Sequence, residues 1–179
     1  KQGTPTMGGA VFTIDAVITA LIVQPQAFAD PHFLIVILAF IGYGIIGFID
    51  DYIIVVKHQH EGLTPKAKFF LQSILAIAFF LAYRQLNDST IIIPFTKLRW
   101  DLGWFYGILV FIMFTGESNG VNLADGLDGL CAGLSIFALI PFVYFAARSG
   151  FDSIAIFICG VIGALIGYLR FNWHPAKIF

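Results

Sequence analysis

Residues 33–49 read FLIVILAFIGYGIIGFI, seventeen residues without a charged side chain, and residues 50 and 51 close the run with two aspartates. Such a run suits a membrane-spanning helix, which needs about 20 predominantly apolar residues and tolerates about 17. Further apolar runs nearly free of charge occupy residues 7–23, 69–83, 102–116, 130–147 and 154–169. Several are short, and Lys68, Arg84, Trp100 and Trp104 beside them can complete a span by snorkelling or by sitting at the interface. The expected fold is all-α: a polytopic membrane bundle of about six transmembrane helices, forming one membrane-embedded domain over residues 1–179.

Composition points the same way. Of 179 residues, 59% are hydrophobic and 12% charged, against roughly 45–50% and about 25% in soluble domains. Disorder, coiled coil and a secreted disulfide scaffold are excluded. A net charge of -1 cannot make a phosphate-tracking patch, which excludes nucleic acid as a partner. Cys131 and Cys159 lie inside apolar runs and read as packing residues. The chain opens at Lys1 on a polar motif and stops at Phe179, and reads as the centre of a longer protein with further helices on both sides.

Alternating the runs across a bilayer sorts the connections. Residues 1–6, 50–68, 117–128 and 170–179 share one side, with six Lys and Arg (Lys1, Lys57, Lys66, Lys68, Arg170, Lys177). The other side holds residues 24–32, 84–101 and 148–153, with four (Arg84, Lys97, Arg99, Arg148). The positive-inside rule makes the first side cytoplasmic. The unusual polar clusters all fall there: TPTMGG (4–9), Asp50–Asp51, NGVNLADGLDG (119–129) and RFNWHPAKIF (170–179). A transporter gathers polar groups near the midplane. A surface cluster instead suits an enzyme joining a soluble substrate to a lipid. On the opposite side, STIIIPFTKLRW (89–100) reads as a short β-hairpin.

Asp50 and Asp51 are expected at the C-terminus of their helix, where mutual repulsion and the helix dipole both disfavour them and a bound cation would relieve both. A plain interfacial location is the bland alternative. Asn122, Asp125 and Asp128 recur at i, i+3 and i+6, within about 120° of one another on a helix. Oxygen ligands of this kind suit Mg²⁺, usually as one or two carboxylates plus substrate phosphates. The alternative is an Asx-rich cap of the helix starting near Leu130.

Gly42, Gly44 and Gly47 match GxGxxG, but inside an apolar span they read as close helix packing, as do Gly163 and Gly167. His58, His60 and Glu61 read as a solvated loop rather than a zinc site. Asp15 sits mid-span in the first run, where an acid is by default a functional residue; its neighbours Thr13 and Thr19 offer only hydrogen bonds.

Taken in order, TPTMGG, GFIDDY (47–52), SNGVNLADGLDGL (118–130) and FNWHPAKIF (171–179) resemble the polyprenyl-phosphate N-acetylhexosamine-1-phosphate transferases over essentially the whole chain. TPTMGG and FNWHPAKIF resemble the branch that uses UDP-MurNAc-pentapeptide rather than the sibling that transfers GlcNAc-1-phosphate. The resemblance implies attack of undecaprenyl phosphate on the β-phosphate of that nucleotide, with Mg²⁺, to give lipid I and UMP. It implies a multi-pass, homodimeric enzyme of the bacterial plasma membrane with its active site facing the cytoplasm. Asp50, Asp51 and Asp128 match the catalytic and Mg²⁺-holding acids. Lys1, Thr6, Asn119, Asn122, Asp125, Gly126, Leu127 and Asn172 match substrate-binding positions, and Phe179 an aromatic that stacks on uracil. Lys57 and Lys68 are the expected phosphate partners.

Two positions depart from the pattern. Ile54 stands where the family commonly has Lys, and Asp15 where it usually has an apolar residue. The family also continues past this Phe with a Met-Gly-Asp stretch, whose Asp binds Mg²⁺, and a His-rich loop. Rival readings are the GlcNAc-1-phosphate sibling, an intramembrane prenyltransferase and a six-helix transporter. The prenyltransferase would need a second Asp-rich repeat, which Asp50–Asp51 does not provide.

Overall fold

The computed structural model describes residues 7–57, 62–93 and 95–178. Six long helices appear where the apolar runs predict them: α1 (Gly8–Val23), α2 (Pro31–Lys57), α3 (Pro65–Leu86), α4 (Phe105–Ala124), α5 (Leu130–Arg148) and α6 (Asp152–Asn172). Pro31 and Pro65 open α2 and α3, where the missing N–H costs no helical bond and φ is already set. Thr64 caps α3 by accepting from the Ala67 N–H. A 3-10 turn (Pro25–Ala29) links α1 to α2.

Four helices, α2, α3, α5 and α6, are long and apolar enough to cross a membrane by length and composition. The two others explain themselves. Helix α1 has 16 residues, about 24 Å at 1.5 Å per residue, against a hydrocarbon core of about 30 Å. Helix α4 is long enough, but its last two turns carry Glu117, Ser118, Asn119 and Asn122.

The expected hairpin is present as β1 (Thr90–Ile92) and β2 (Arg99–Asp101), antiparallel with Ile91 opposite Trp100. Beside it the Arg84 guanidinium lies 4.1 Å from the centre of the Trp104 ring, and Tyr83 stacks on Tyr106. A cation and aromatics grouped at helix ends suit the polar boundary of a bilayer. At the same end Gln24 Nε2 donates to Ser153 O at 2.9 Å, tying the first connection to the last.

The helices neighbour one another in the order α4–α3–α2–α1–α6–α5, with a lighter contact between α4 and α5. Small residues permit the close approaches. A Cβ on Gly42 would meet Leu75 of α3 at 2.9 Å, one on Gly44 would meet Thr13 of α1 at 2.8 Å, and one on Gly107 would meet Phe80 at 2.6 Å. The packing reading therefore holds for Gly42 and Gly44. It fails for Gly47, Gly163 and Gly167, whose Cβ positions have nothing within 4 Å. The core joins Ala16, Ala20, Phe33, Ile37, Ala132, Phe157, Val161 and Leu165. Phe157 makes edge contacts with Phe33 at 5.8 Å and Phe40 at 5.2 Å.

Two expectations about helix ends are corrected. Helix α2 continues through YIIVVK to Lys57, so Asp50 and Asp51 lie inside it rather than at its C-terminus. The apolar sequence that resumes at Tyr52 carries the helix on. Asn122, Asp125 and Asp128 do not share one helix face: Asn122 is in the last turn of α4, Asp125 is its C-cap, and Asp128 lies in the turn beyond. Most of the connection expected at residues 117–128 is helix.

Candidate active site

Asp50 is held from two directions. Lys68 Nζ donates to its Oδ2 at 2.9 Å, and the Leu63 N–H donates to its Oδ1 at 2.7 Å. Both charged side chains are largely shielded, 17% and 16% exposed, so the pair is worth more than an open surface contact and removing either member leaves an uncompensated charge. Neighbouring Gly62 has no room for a side chain, since a Cβ there would lie 2.5 Å from the Asp50 carbonyl oxygen.

The same ammonium reaches a third helix. Lys68 Nζ donates to Asn122 Oδ1 at 3.3 Å, joining the second acidic motif to the first. Asp51, half-buried, lies within the fields of Asp50, Asp125 and Lys68. Tyr168 of α6 lies within those of Asp125 and Asp51. The acids of α2 and of the α4 end thus share one electrostatic neighbourhood, with Lys68 as its cation.

The turn after α4 is fixed by the segment after α6. Gly129 caps α5 at φ 72°, a left-handed backbone that suits glycine. Its N–H donates to Asn172 Oδ1 at 2.9 Å, and Asn172 Nδ2 donates to Ile178 O at 2.9 Å. Asn172 is 1% exposed. Asp128 Oδ2 meets His174 Nδ1 at 2.9 Å and accepts the Ala176 N–H at 3.1 Å. Asp128 therefore braces residues 174–176, and the N-cap of α5 is Gly129. The Asp125 charge reaches Asp51.

Below Lys68 a polar ladder runs into the bundle. Gln72 Nε2 donates to Ser118 Oγ at 2.8 Å, Asn119 Nδ2 donates to Gln72 Oε1 at 3.1 Å and to Thr115 O at 2.7 Å. From α2 the Tyr43 hydroxyl donates to Gln72 O at 3.2 Å.

The structure thus gathers Asp50, Asp51, Lys68, Asn122 and Asp125. It sets Asp128 and Asn172 in the brace beside them and places Asn119 in the ladder. Gly126 and Leu127 are exposed in the turn. Lys1, Thr6, Phe179, His58, His60 and Glu61 lie outside the described residues, as does the side chain of Lys57. Asp15 is exposed on α1, away from this cluster in sequence and on another helix. Sequence reading missed Gln72 and His174. Gln72 is a lone amide in an apolar run, which is a usable signal; the link from His174 to Asp128 spans 46 residues and leaves no local trace.

Hard oxygen donors on Asp51, Asp50 and Asp125 fit Mg²⁺ in kind. Among the described residues no group of three His, Cys, Asp or Glu could hold a metal by itself. Mg²⁺ is usually held by one or two carboxylates together with substrate phosphates and water.

The chain is similar to known proteins over its whole length. The chain is 45% identical over 182 residues to phospho-N-acetylmuramoyl-pentapeptide-transferase of Bacillus subtilis (strain 168), a match covering 100% of the chain and 56% of that relative. It is 44% identical, with the same coverage, to the proteins of that name from Oceanobacillus iheyensis over 183 residues and Halalkalibacterium halodurans over 181. The chain spans about half the length of these curated relatives. Residues 1–12 match the phospho-N-acetylmuramoyl-pentapeptide-transferase signature 1. The model of glycosyl transferase family 4 matches residues 33–179, taking in both acidic motifs, Lys68 and the brace after α6; the chain belongs to that family.

Proposed function

We propose that the full-length protein transfers phospho-MurNAc-pentapeptide from UDP-MurNAc-pentapeptide to undecaprenyl phosphate, giving lipid I and UMP, at the cytoplasmic face of a bacterial plasma membrane. The observation that carries this reading is the bridge from Lys68 to Asp50 and Asn122. It sits at one end of the helices, beside Asp51 and Asp125, as a reaction between a soluble nucleotide and a membrane-held phosphate requires.

In this reading an oxygen of the lipid phosphate attacks the β-phosphorus of the nucleotide. The bond from that phosphorus to the bridging oxygen breaks, and UMP leaves with the electron pair. Phosphoryl transfer depends mostly on positioning and charge neutralisation. Lys68 supplies a fixed cation for phosphate oxygens, and Asn122 an amide beside it. Asp50 holds the ammonium in place, while Asp51 and Asp125 present carboxylates to the same space. One or two of Asp50, Asp51, Asp128 and Asp125, together with substrate phosphates, would hold Mg²⁺, which when bound neutralises diphosphate charge. Gly126 and Leu127, exposed in the turn, would line the nucleotide pocket.

The test is a UMP-release assay on the purified full-length protein with undecaprenyl phosphate and Mg²⁺. UDP-MurNAc-pentapeptide is expected to turn over and UDP-GlcNAc to be inert. The reverse preference would assign the chain to the GlcNAc-1-phosphate sibling, and no UMP from either would end the transferase reading.

A further inference from the structure

Gln72 takes no part in the chemistry above, yet its side chain is fully committed in the interior. It is 0% exposed, and both of its amide atoms are bonded to α4. An apolar residue would fill this place without the cost of desolvating an amide. What the amide adds is register. Helix α3 cannot slide or rotate against α4 without breaking two bonds that water cannot replace.

The spacing shows what that register controls. Lys68 and Gln72 are i and i+4 on α3. Ser118 and Asn119 precede Asn122 by four and three residues on α4. Each set shares one helix face. The Gln72 bonds therefore lie one turn below the contact from Lys68 to Asn122, and Tyr43 adds α2, the helix that carries Asp50, to the same junction.

We propose that Gln72 is a positioning residue that acts through Lys68, locking α3 to α4 so that the ammonium stays between Asp50 and Asn122. Its consequence for turnover rests on the transferase reading; its consequence for Lys68 does not.

Two variants of the full-length protein test this. Gln72→Met keeps the volume and removes the hydrogen bonds, and Ser118→Ala removes one of them without altering α3. The first readout is acetylation of Lys68 by a water-soluble active ester, followed by mass spectrometry. Release of the ammonium is expected to speed acetylation at least about fivefold in Gln72→Met and by less in Ser118→Ala. Rates within about twofold of the parent in both variants would overturn the proposal. Should Gln72→Met fail to accumulate in membranes, Ser118→Ala decides by the same threshold.

The second readout is kcat/KM for UDP-MurNAc-pentapeptide. Gln72→Met is expected to lower it about tenfold in the parent but less than twofold when Lys68 is already Ala. Equal losses in both backgrounds would mean that Gln72 acts independently of Lys68, and would overturn the proposal. A parent protein without transferase activity would sink the transferase reading alone, leaving acetylation to decide for or against Gln72.

Discussion

Lys68 Nζ stands 2.9 Å from Asp50 Oδ2 and 3.3 Å from Asn122 Oδ1, so that one ammonium ties α3 to α2 and α4 at once. Replacing it with Met leaves the Asp50 carboxylate shielded and, among the described residues, held by the Leu63 N–H alone. Turnover of the full-length protein is expected to fall by about 100-fold, the usual scale for losing one charge-stabilising donor. Lys68→Arg should retain more. Adding Asp50→Asn to Lys68→Met should recover thermal stability without recovering turnover, because it removes the unpaired charge. UMP release and thermal melts of the four proteins check both halves.

Asp51 is the acid set among the charges of Asp50, Asp125 and Lys68. Asp51→Asn is expected to lower turnover by about 1000-fold while the protein still inserts and melts normally. Chelation should abolish parental activity and Mg²⁺ restore it, with the variant requiring more Mg²⁺ for its residual rate. Near-parental turnover in Asp51→Asn would remove this residue from the site.

Asn172 satisfies the Gly129 N–H and the Ile178 carbonyl from a position that is 1% exposed. Asn172→Leu leaves both groups unpaired, at about 1–3 kcal/mol each. Asn172→Asp keeps the acceptor but buries a carboxylate and sets its second oxygen against the Ile178 carbonyl. Both variants are expected to melt below the parent in detergent. An unchanged melt for Asn172→Leu would mean that the brace contributes nothing to stability.

Single cysteines report the sidedness, in a background with Cys131 and Cys159 replaced by Ala. Thr64→Cys beside α3 and Gly120→Cys on α4 should react with an impermeant thiol reagent only from the cytoplasm. Lys97→Cys in the hairpin should react only from outside. Labelling of Thr64→Cys and Lys97→Cys from the same side would break the proposed orientation.

The helices and the hairpin were legible because each depends on local information: apolar runs of adequate length, and a β-branched run with turn residues. The gathering of polar motifs at one end followed from alternation alone. The position of the aspartate pair within α2 was less legible, because Asp50 is stabilised by Lys68 from 18 residues away and charges usually mark a span's end. The turn at residues 125–129 looked like a continuous face because spacing says nothing of where Gly129 takes a left-handed backbone. Gln72 carried a visible signal, an amide in the run FFLQSILA, but its partners on α4 lie 46 and 47 residues on.

The bond from Gly129 to Asn172 joins residues 43 apart, and this sets an order of events during synthesis. Translation at roughly 5–20 residues per second separates the two by roughly 2–9 s. For that interval the turn carrying Asp125 exists without its brace, although α2, α3 and α4 have already been made. The nascent site therefore has its cation and its first acids before its second motif is fixed. A membrane-inserted protein truncated and released just before Asn172 should have a 125–129 turn open to protease, and one that includes Ile178 a turn that is closed.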